Sequence, residues 1–346
     1  MDKTNVTIAD VAQLAHVSKM SVSRVLNGQD GVSEKTRTRI LEAVQQLGYV
    51  PNLNFRSRPS WSKLIALLIP DITTTYMGEI LRGVSGAAER LNYGLMLYTQ
   101  GSINHTERTS YYLSLLSNAL VDGVLMVVPL DYENIVNDLK THNLSYVIID
   151  HHSGTENEPS VTATNRKGIL DAMRHLFALG HHRIGFITGR MDIACSQDRL
   201  QGYQDGLAEV GRPFDPELIG EGDFSQLAGF QQAQRLLQLR QPPTAIVASN
   251  DVMALGVMDA AKAAGLTIGQ DISIVGFDDI EMASHTYPPL TTVRQPMAAM
   301  GETALELLVT LLEGHTALTM RRELPTELII RESTGRVRHE AKTRSQ

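Results

Sequence analysis

Over the first fifty residues, short apolar stripes recur at a spacing near 3.6, the period of small amphipathic helices. Ile8, Val11, Ala12 and Ala15 share one face, and Thr7 followed three residues later by Asp10 fits a capping box at the positive helix end. Ser18 suits the cap of a second helix, with Val22, Val25 and Leu26 on one side and Met20, Ser23, Arg24 and Asn27 on the other. A third helix is predicted after Ser33, turning Ile40, Leu41, Val44 and Leu47 inward, with Gly48 suited to its C-terminal turn and Pro51 barring its return. Two short capped helices around a tight turn, followed by a third, form a unit that sets one helix into a DNA major groove.

Past Trp61 the pattern changes to short apolar runs separated by helix-like stretches. Strands are predicted at Leu64 to Ile69, Leu95 to Tyr98, Val124 to Val128, Tyr146 to Ile149, Ile184 to Ile187, Ala245 to Ala248 and Ile272 to Phe277. Helices are predicted at Gly78 to Leu91, Gly168 to Leu179 and Val252 to Ala264. Such alternation implies an α/β body with parallel sheets covered on both faces. Ligands of open parallel sheets bind beyond the carboxyl ends of the strands, which nominates Pro70-Asp71, Pro129, Asp150, Gly189-Arg190, Asn250-Asp251 and Asp278-Asp279.

At 346 residues the chain exceeds one typical domain. Its formal charge of −7, from 31 Lys and Arg against 38 Asp and Glu, does not by itself suggest nucleic acid. The distribution does. Residues 1–58 carry eight basic against five acidic side chains, or +3, which leaves 23 against 33, or −10, for the remainder. Positive charge lies where DNA is expected, and an acidic body repels phosphate and so orients the approach. One cysteine permits no internal disulfide. The start lacks the basic-then-apolar pattern of a secretory signal, and no apolar run is long enough to span a membrane. The cytoplasm is the expected compartment.

The motifs carry a resemblance that covers roughly residues 5–335. Ile8-Ala9-Asp10-Val11-Ala12, Val17-Ser18, Val22-Ser23-Arg24-Val25-Leu26-Asn27, Val32-Ser33-Glu34-Lys35-Thr36-Arg37 and Leu47-Gly48-Tyr49-Val50-Pro51-Asn52 resemble the headpiece of the lactose and galactose repressor family of bacterial regulators. His16 departs from the family's usual turn glycine, but histidine tolerates positive φ better than most residues. Downstream, Leu179-Gly180-His181-His182-Arg183-Ile184, Asp198-Arg199-Leu200-Gln201-Gly202-Tyr203, Ser249-Asn250-Asp251-Val252-Met253-Ala254-Leu255-Gly256, Ile274-Val275-Gly276-Phe277-Asp278-Asp279 and Pro288-Pro289-Leu290-Thr291-Thr292-Val293-Arg294-Gln295-Pro296 are similar to the family's effector domain. That domain has the bilobal fold of periplasmic sugar-binding proteins. The resemblance implies a headpiece over 1–51, a hinge over 52–62, and an effector domain over 63–335. It also implies an N-lobe of about 63–162 with 294–324, a C-lobe of about 163–293 with 325–335, and three crossings between lobes. Residues 336–346 form a polar tail without a leucine heptad, so a dimer is expected rather than a coiled-coil tetramer.

By the same resemblance Arg199, Asn250, Asp278, Asp150 and Gln295 are expected to bind effector hydroxyls, with Tyr76 and Phe224 stacking on the ring. For Arg199 and Asp278 the plain alternative is an ion pair between lobes. Phe224 and Tyr76 have the alternative of core aromatics, and Asp150 that of a carboxylate held by backbone donors. Asp251 is expected to cap the following helix and Asn250 to face the ligand. His151, His152, Arg190 and Cys195 are further candidates for the crevice wall. On the reading helix, Lys19 and Met20 occupy the positions that vary most among members: Lys19 can reach guanine or, equally, a phosphate, and Met20 offers an apolar contact. Arg24 is the stronger candidate for a base contact, Ser21, Ser23 and Asn27 for phosphates, and Thr7 is a further DNA-binding candidate. The family's hinge leucine is replaced by Arg58, followed by Pro59, so Arg56 and Arg58 either enter the minor groove electrostatically or form a basic linker.

These features imply a DNA-binding regulator, most simply a repressor released from a pseudo-palindromic operator by a sugar; corepression by a purine-like molecule is the alternative. An enzyme is the rival class, yet there is no nucleophile elbow, phosphate-cradling loop or zincin motif. Ser60-x-x-Lys63 has a β-lactamase spacing without its partner motifs. No catalytic residue, metal or cofactor is expected: adjacent histidines such as His151-His152 point to opposite sides of a strand, and no motif gives Cys195 a base. A transport binding protein would share the body but has no use for the headpiece.

Overall fold

The computed structural model describes residues 7–26, 31–47, 63–99, 120–128, 132–151, 158–314 and 319–337. The chain divides into two compact units, residues 1–60 and 61–346.

In the first unit α1 (Ile8–Leu14), α2 (Lys19–Leu26) and α3 (Glu34–Leu47) enclose Val11, Ala12, Ala15, Val22, Val25, Ile40 and Ala43. Ile8, Val17, Val32, Val44 and Leu47 pack around that core. The Asp10 carboxylate accepts from both the Thr7 N–H and its hydroxyl at 2.7 Å, and these bonds hold its pKa down. Ser18 Oγ accepts from Ser21 N–H at 3.1 Å, as expected of a cap. His16 sits at φ 50° and makes the turn. One expectation is corrected: Leu41 is 50% exposed, because the inward stripe of α3 runs Ile40, Ala43, Val44, Leu47 and Leu41 falls beside it.

The second unit holds two six-stranded sheets. Sheet A has the order β11-β5-β4-β3-β1-β2 and is parallel throughout. Its strands are β1 (Leu64–Ile69), β2 (Gly94–Thr99), β3 (Gly123–Val127), β4 (Ser145–Ile149), β5 (Ser160–Ala163) and β11 (Arg321–Leu324). Sheet B runs β12-β10-β9-β8-β6-β7, from β6 (Ile184–Thr188), β7 (Ile219–Glu221), β8 (Ala245–Ala248), β9 (Ser273–Asp278), β10 (Thr291–Arg294) and β12 (Glu327–Ile329). Within it β12 alone is antiparallel, against β10. The seven strands predicted from the apolar runs are all present, with ends shifted by at most a residue.

Continuous apolar strands such as Leu64–Ile69 require cover on both sides, and helices supply it. Helices α4 (Thr75–Leu91) and α11 (Met297–Leu312) pack Ile80, Val84, Met300, Ala304 and Leu308 on one face of sheet A, and α5 (Tyr132–Thr141) packs Ile135, Val136 and Leu139 on the other. On sheet B, α6 (Asn165–Ala178) and α7 (Ala194–Glu209) bury Ile169, Met173 and Tyr203 against Phe186, Val247 and Phe277. Across that sheet α8 (Gln226–Leu237) and α9 (Asp251–Ala263) bury Leu236, Met253 and Val257. A short α10 spans Glu281–His285. Among the described residues no helix is long and apolar enough to cross a membrane.

Candidate functional site

The carboxyl ends of both sheets converge on one crevice of about 580 Å³. From the sheet A side come Asp71 after β1, Val128 after β3, Asp150 after β4, and Tyr76 of α4; from the sheet B side come Arg190, Asn250, Asp278, Phe224, and Cys195 with Arg199 of α7. Six of the seven expected effector contacts therefore line one space. Four of the lining residues other than glycine hold positive φ: Val128 at 41°, Asp150 at 58°, Phe224 at 73° and Asp278 at 121°. Such conformations are costly, most of all for β-branched valine, and their concentration at one set of strand ends marks a functional site.

Arg199 is the centre of the site and is 2% exposed. Its Nε donates to Asn165 Oδ1 at 2.8 Å, its Nη1 donates to the Ser249 carbonyl at 2.5 Å, and its guanidinium lies 3.9 Å from the centre of the Phe277 ring. Burial opposes its charge, but nearby groups, with Asp278 and Asp150 the carboxylates among them, outweigh this and push its pKa up. Burial also raises Asp150, against the opposing pull of Arg199 and of the hydrogen bonds from Tyr76 and Asn165. Tyr76 Oη donates to Asp150 Oδ2 at 3.0 Å, so this tyrosine is both wall and partner, and burial raises its own pKa well above the usual value. Asp278 is pushed up to about 7, chiefly by burial. Burial likewise raises the pKa of the Cys195 thiol, which packs in the crevice wall.

Two expected roles are corrected. Asn250, not Asp251, caps α9: its Oδ1 accepts from Met253 N–H at 2.9 Å while its Nδ2 donates to the Phe224 carbonyl at 3.2 Å. Asn250 still lines the crevice, so it serves both positions. Asp251 is fully buried beneath, where Oδ2 accepts from Ile280 N–H at 2.9 Å and Oδ1 from the Thr292 hydroxyl at 2.5 Å. Gln295 does not line the crevice; it is buried behind Asp278 and donates to Asp278 Oδ1 at 2.6 Å, which makes it a support for that carboxylate. Asp279 is likewise structural, paired with Arg294 at 2.7 Å and Arg331 at 2.6 Å. Phe224 closes against Gly189, where a Cβ would lie 2.1 Å from its ring.

Among the other candidates, His151 is half-buried and outside the crevice lining, while Pro129 and His152 lie outside the described residues. Both ring nitrogens of His181 are occupied, by the Thr244 hydroxyl and the Gly335 carbonyl at 2.9 Å, so this histidine anchors the chain's last described segment. Among the described residues no group of three or more His, Cys, Asp or Glu is placed to hold a metal. Asn165, which no motif singles out, touches both Asp150 and Arg199.

In the first unit α2 exposes Lys19, Met20 and Arg24, with Met20 at 67%. Ser21 and Ser23 are half-buried, and the Ser21 hydroxyl lies 2.9 Å from that of Ser18. Thr7 is exposed at the start of α1. Asn27, Arg56 and Arg58 lie outside the described residues, with the whole expected hinge.

Residues 7–52 match bacterial regulatory proteins, lacI family, and residues 173–334 match a periplasmic binding protein-like domain. The HTH-type transcriptional repressor CytR of Escherichia coli (strain K12) is 36% identical over 337 residues, 96% of this chain and 97% of its own length. The solved Lac repressor dimer bound to operator and the anti-inducer ONPF superposes with a TM-score of 0.74 at 31% identity, covering 96% of this chain and 100% of that one. The transcriptional regulator CelR–cellobiose complex gives 0.74 at 32% identity, covering 95% and 99%. These relatives are transcriptional regulators. With a helix-turn-helix unit that exposes Lys19, Met20 and Arg24, and a separate unit whose two sheets meet at one crevice, the chain belongs to the lacI family of bacterial regulatory proteins.

Proposed function

We propose that this regulator is a dimeric repressor that leaves a pseudo-palindromic operator when a neutral, polyhydroxylated sugar closes the crevice. The observation that carries the reading is the buried Arg199 between Asp150 and Asp278, in a space shared by both sheets. Guanidinium N–H groups and carboxylate oxygens bind the two sides of a hydroxyl, and Tyr76 with Phe224 supply the apolar wall. Asp71, Asp150, Asp223 and Asp278 line the crevice against Arg190 and Arg199, and Arg190 is already paired with Asp192 at 2.5 Å. That balance repels phosphate and favours an uncharged ligand.

On the DNA side, Lys19, Met20 and Arg24 are assigned to base edges, Thr7, Ser21, Ser23 and Asn27 to the backbone, and Arg56 and Arg58 to the hinge over 52–62. The N-lobe is assigned to about 63–162 with 294–324 and the C-lobe to about 163–293 with 325–335. Two headpieces on a twofold axis sit about one DNA turn apart, and closure of the crevice changes that spacing. Only a ligand with different affinities for the two states shifts the balance, and the coupling is reciprocal. Such a regulator works in the bacterial cytoplasm, on the nucleoid, and this reading assigns it no reaction.

Calorimetric titration of the full-length protein with D-ribose, D-galactose, cellobiose, ribose 5-phosphate and adenine tests the ligand class. A neutral sugar is expected to bind and ribose 5-phosphate to fail; binding of adenine alone would favour the corepressor reading, to which the paired aromatic walls also lend themselves.

The crevice also implies a pH dependence. Burial pushes Asp278 up to about 7, so in the free protein it holds a proton below that pH. A hydroxyl that donates to it needs the carboxylate, so binding depresses its pKa and releases the proton. Sugar affinity is therefore expected to rise about tenfold between pH 6 and pH 8, with proton release seen calorimetrically as buffer-dependent heat. A flat or falling profile would contradict the role of Asp278 as acceptor.

A further inference from the structure

We infer that Asn165 is the positioning residue that sets Arg199 and Asp150 for a crevice ligand; this rests on the reading of the crevice as the effector site. Asn165 opens α6 directly after β5, where the chain leaves sheet A for the layer over sheet B. It is buried and does not itself line the crevice. Its Oδ1 accepts from Arg199 Nε at 2.8 Å, and its Nδ2 donates to the Ala163 carbonyl at 3.2 Å and to Asp150 Oδ1 at 3.5 Å. One short amide thus ties a carboxylate at the end of a sheet A strand to a guanidinium held over sheet B.

Both polarities of the amide are needed, because one neighbour only donates and the other only accepts. The surrounding contacts show what the tie accomplishes. Tyr76 Oη occupies the second oxygen of Asp150, and Ser249 with the Phe277 ring fix Arg199 from its other sides. Arg199 is bonded to an amide and a carbonyl, and its charge acts on Asp150 and Asp278 from a distance. Without Asn165 the guanidinium is free to collapse onto Asp150 or Asp278 as a direct ion pair. The N–H groups and oxygens required by a hydroxyl ligand would then be spent on each other. Asn165 therefore acts through Arg199 and Asp150, without touching the ligand.

The test uses full-length wild type, Asn165→Ala and Asn165→Asp, titrated with D-ribose, D-galactose and cellobiose at pH 5.5 and pH 8. The ligand-free proteins are melted over the same range. For the sugar that wild type binds, Asn165→Ala is expected to weaken affinity at least tenfold at both pH values while its melting temperature stays within a few degrees. Asn165→Asp keeps the acceptor for Arg199 but sets a second carboxylate beside Asp150, so the two share a proton only at low pH. Its deficit relative to wild type is expected to be as large at pH 8 and to shrink at least fivefold at pH 5.5. A merely structural role would give the two variants the same pH profile. Ligand-free Asn165→Asp should also lose melting temperature between pH 5.5 and pH 8 more steeply than Asn165→Ala. Affinity of Asn165→Ala within twofold of wild type, or parallel pH profiles for the two variants, would overturn the inference. If wild type bound none of the sugars, the effector reading would fail, and the melting curves would decide alone: divergence upholds the tie to Asp150 and parallel curves overturn it. If Asn165→Ala failed to fold, Asn165→Asp against wild type would give the same discrimination.

Discussion

Arg199→Met is expected to abolish the response to effector, with affinity lowered more than a hundredfold, and to lower stability. Methionine fills much of the volume but removes the bonds to Asn165 and Ser249, the stacking on Phe277 and the charge between Asp150 and Asp278. Deleting one partner from a buried charged cluster typically costs about 3–5 kcal/mol, because the remaining charges are left uncompensated. Here the cost has a pH signature. Asp278 already titrates near 7 with Arg199 pulling it down, so without Arg199 it stays protonated to higher pH. The destabilisation is smallest at acid pH, where the carboxylates are neutral, and grows as pH rises through 7. The headpiece is a separate compact unit, so operator affinity without ligand is expected to be unchanged. Melting across pH 5 to 8, with operator titrations in the presence of sugar, checks both parts. A variant still released by sugar would remove Arg199 from the mechanism.

Arg24→Ala is expected to weaken operator binding to a comparable or greater degree. A bidentate arginine–guanine contact contributes about 1–3 kcal/mol of discrimination, and a dimer makes it twice, which gives roughly 30-fold to more than 10,000-fold. Arg24 is exposed on α2, and the core beneath it is built from Val22 and Val25, so helix content and melting of the headpiece should not change. The form of the loss separates two roles. A base contact relaxes preference at one position in each half-site; a phosphate contact weakens all sequences evenly and lowers the salt dependence. Selection of bound duplexes from a randomised pool, by wild type and variant, distinguishes them. An unaltered preference with a reduced salt slope would reassign Arg24 to the backbone.

Much of this architecture was legible in the sequence because its elements are long or strongly patterned. Runs such as Leu64–Ile69 and Ser273–Asp278 are apolar enough to read as buried strands. The strands β5, β7, β10, β11 and β12 are three or four residues long and carry polar residues or glycine, so neither a period nor an apolar run shows, unlike the equally short but wholly apolar β8. Helix α7 is obscured for a different reason: its buried face includes Ser196 and carries Cys195 and Arg199 into the crevice lining, which blurs the apolar stripe. The cap of α9 is ambiguous in sequence because Asn250 and Asp251 are both good capping residues, and local sequence cannot reveal that Ile280 and Thr292 occupy the aspartate. Gln295 and Asn165 show the same limit. Whether a polar side chain faces a ligand or the residue behind it is set by contacts far away in sequence, 34 residues between Asn165 and Arg199 and 41 between Asp251 and Thr292.

If the reader of base edges and the small-molecule crevice belong to one coupled equilibrium, a titration of the full-length protein against a selected duplex and a random duplex at fixed salt, with and without the sugar it binds, will show it. The selected duplex is expected to bind at least about a thousandfold tighter than the random one, and sugar should weaken that binding by the same factor by which the duplex weakens sugar binding. Equal affinity for both duplexes, or operator affinity that saturating sugar leaves unmoved, would contradict it.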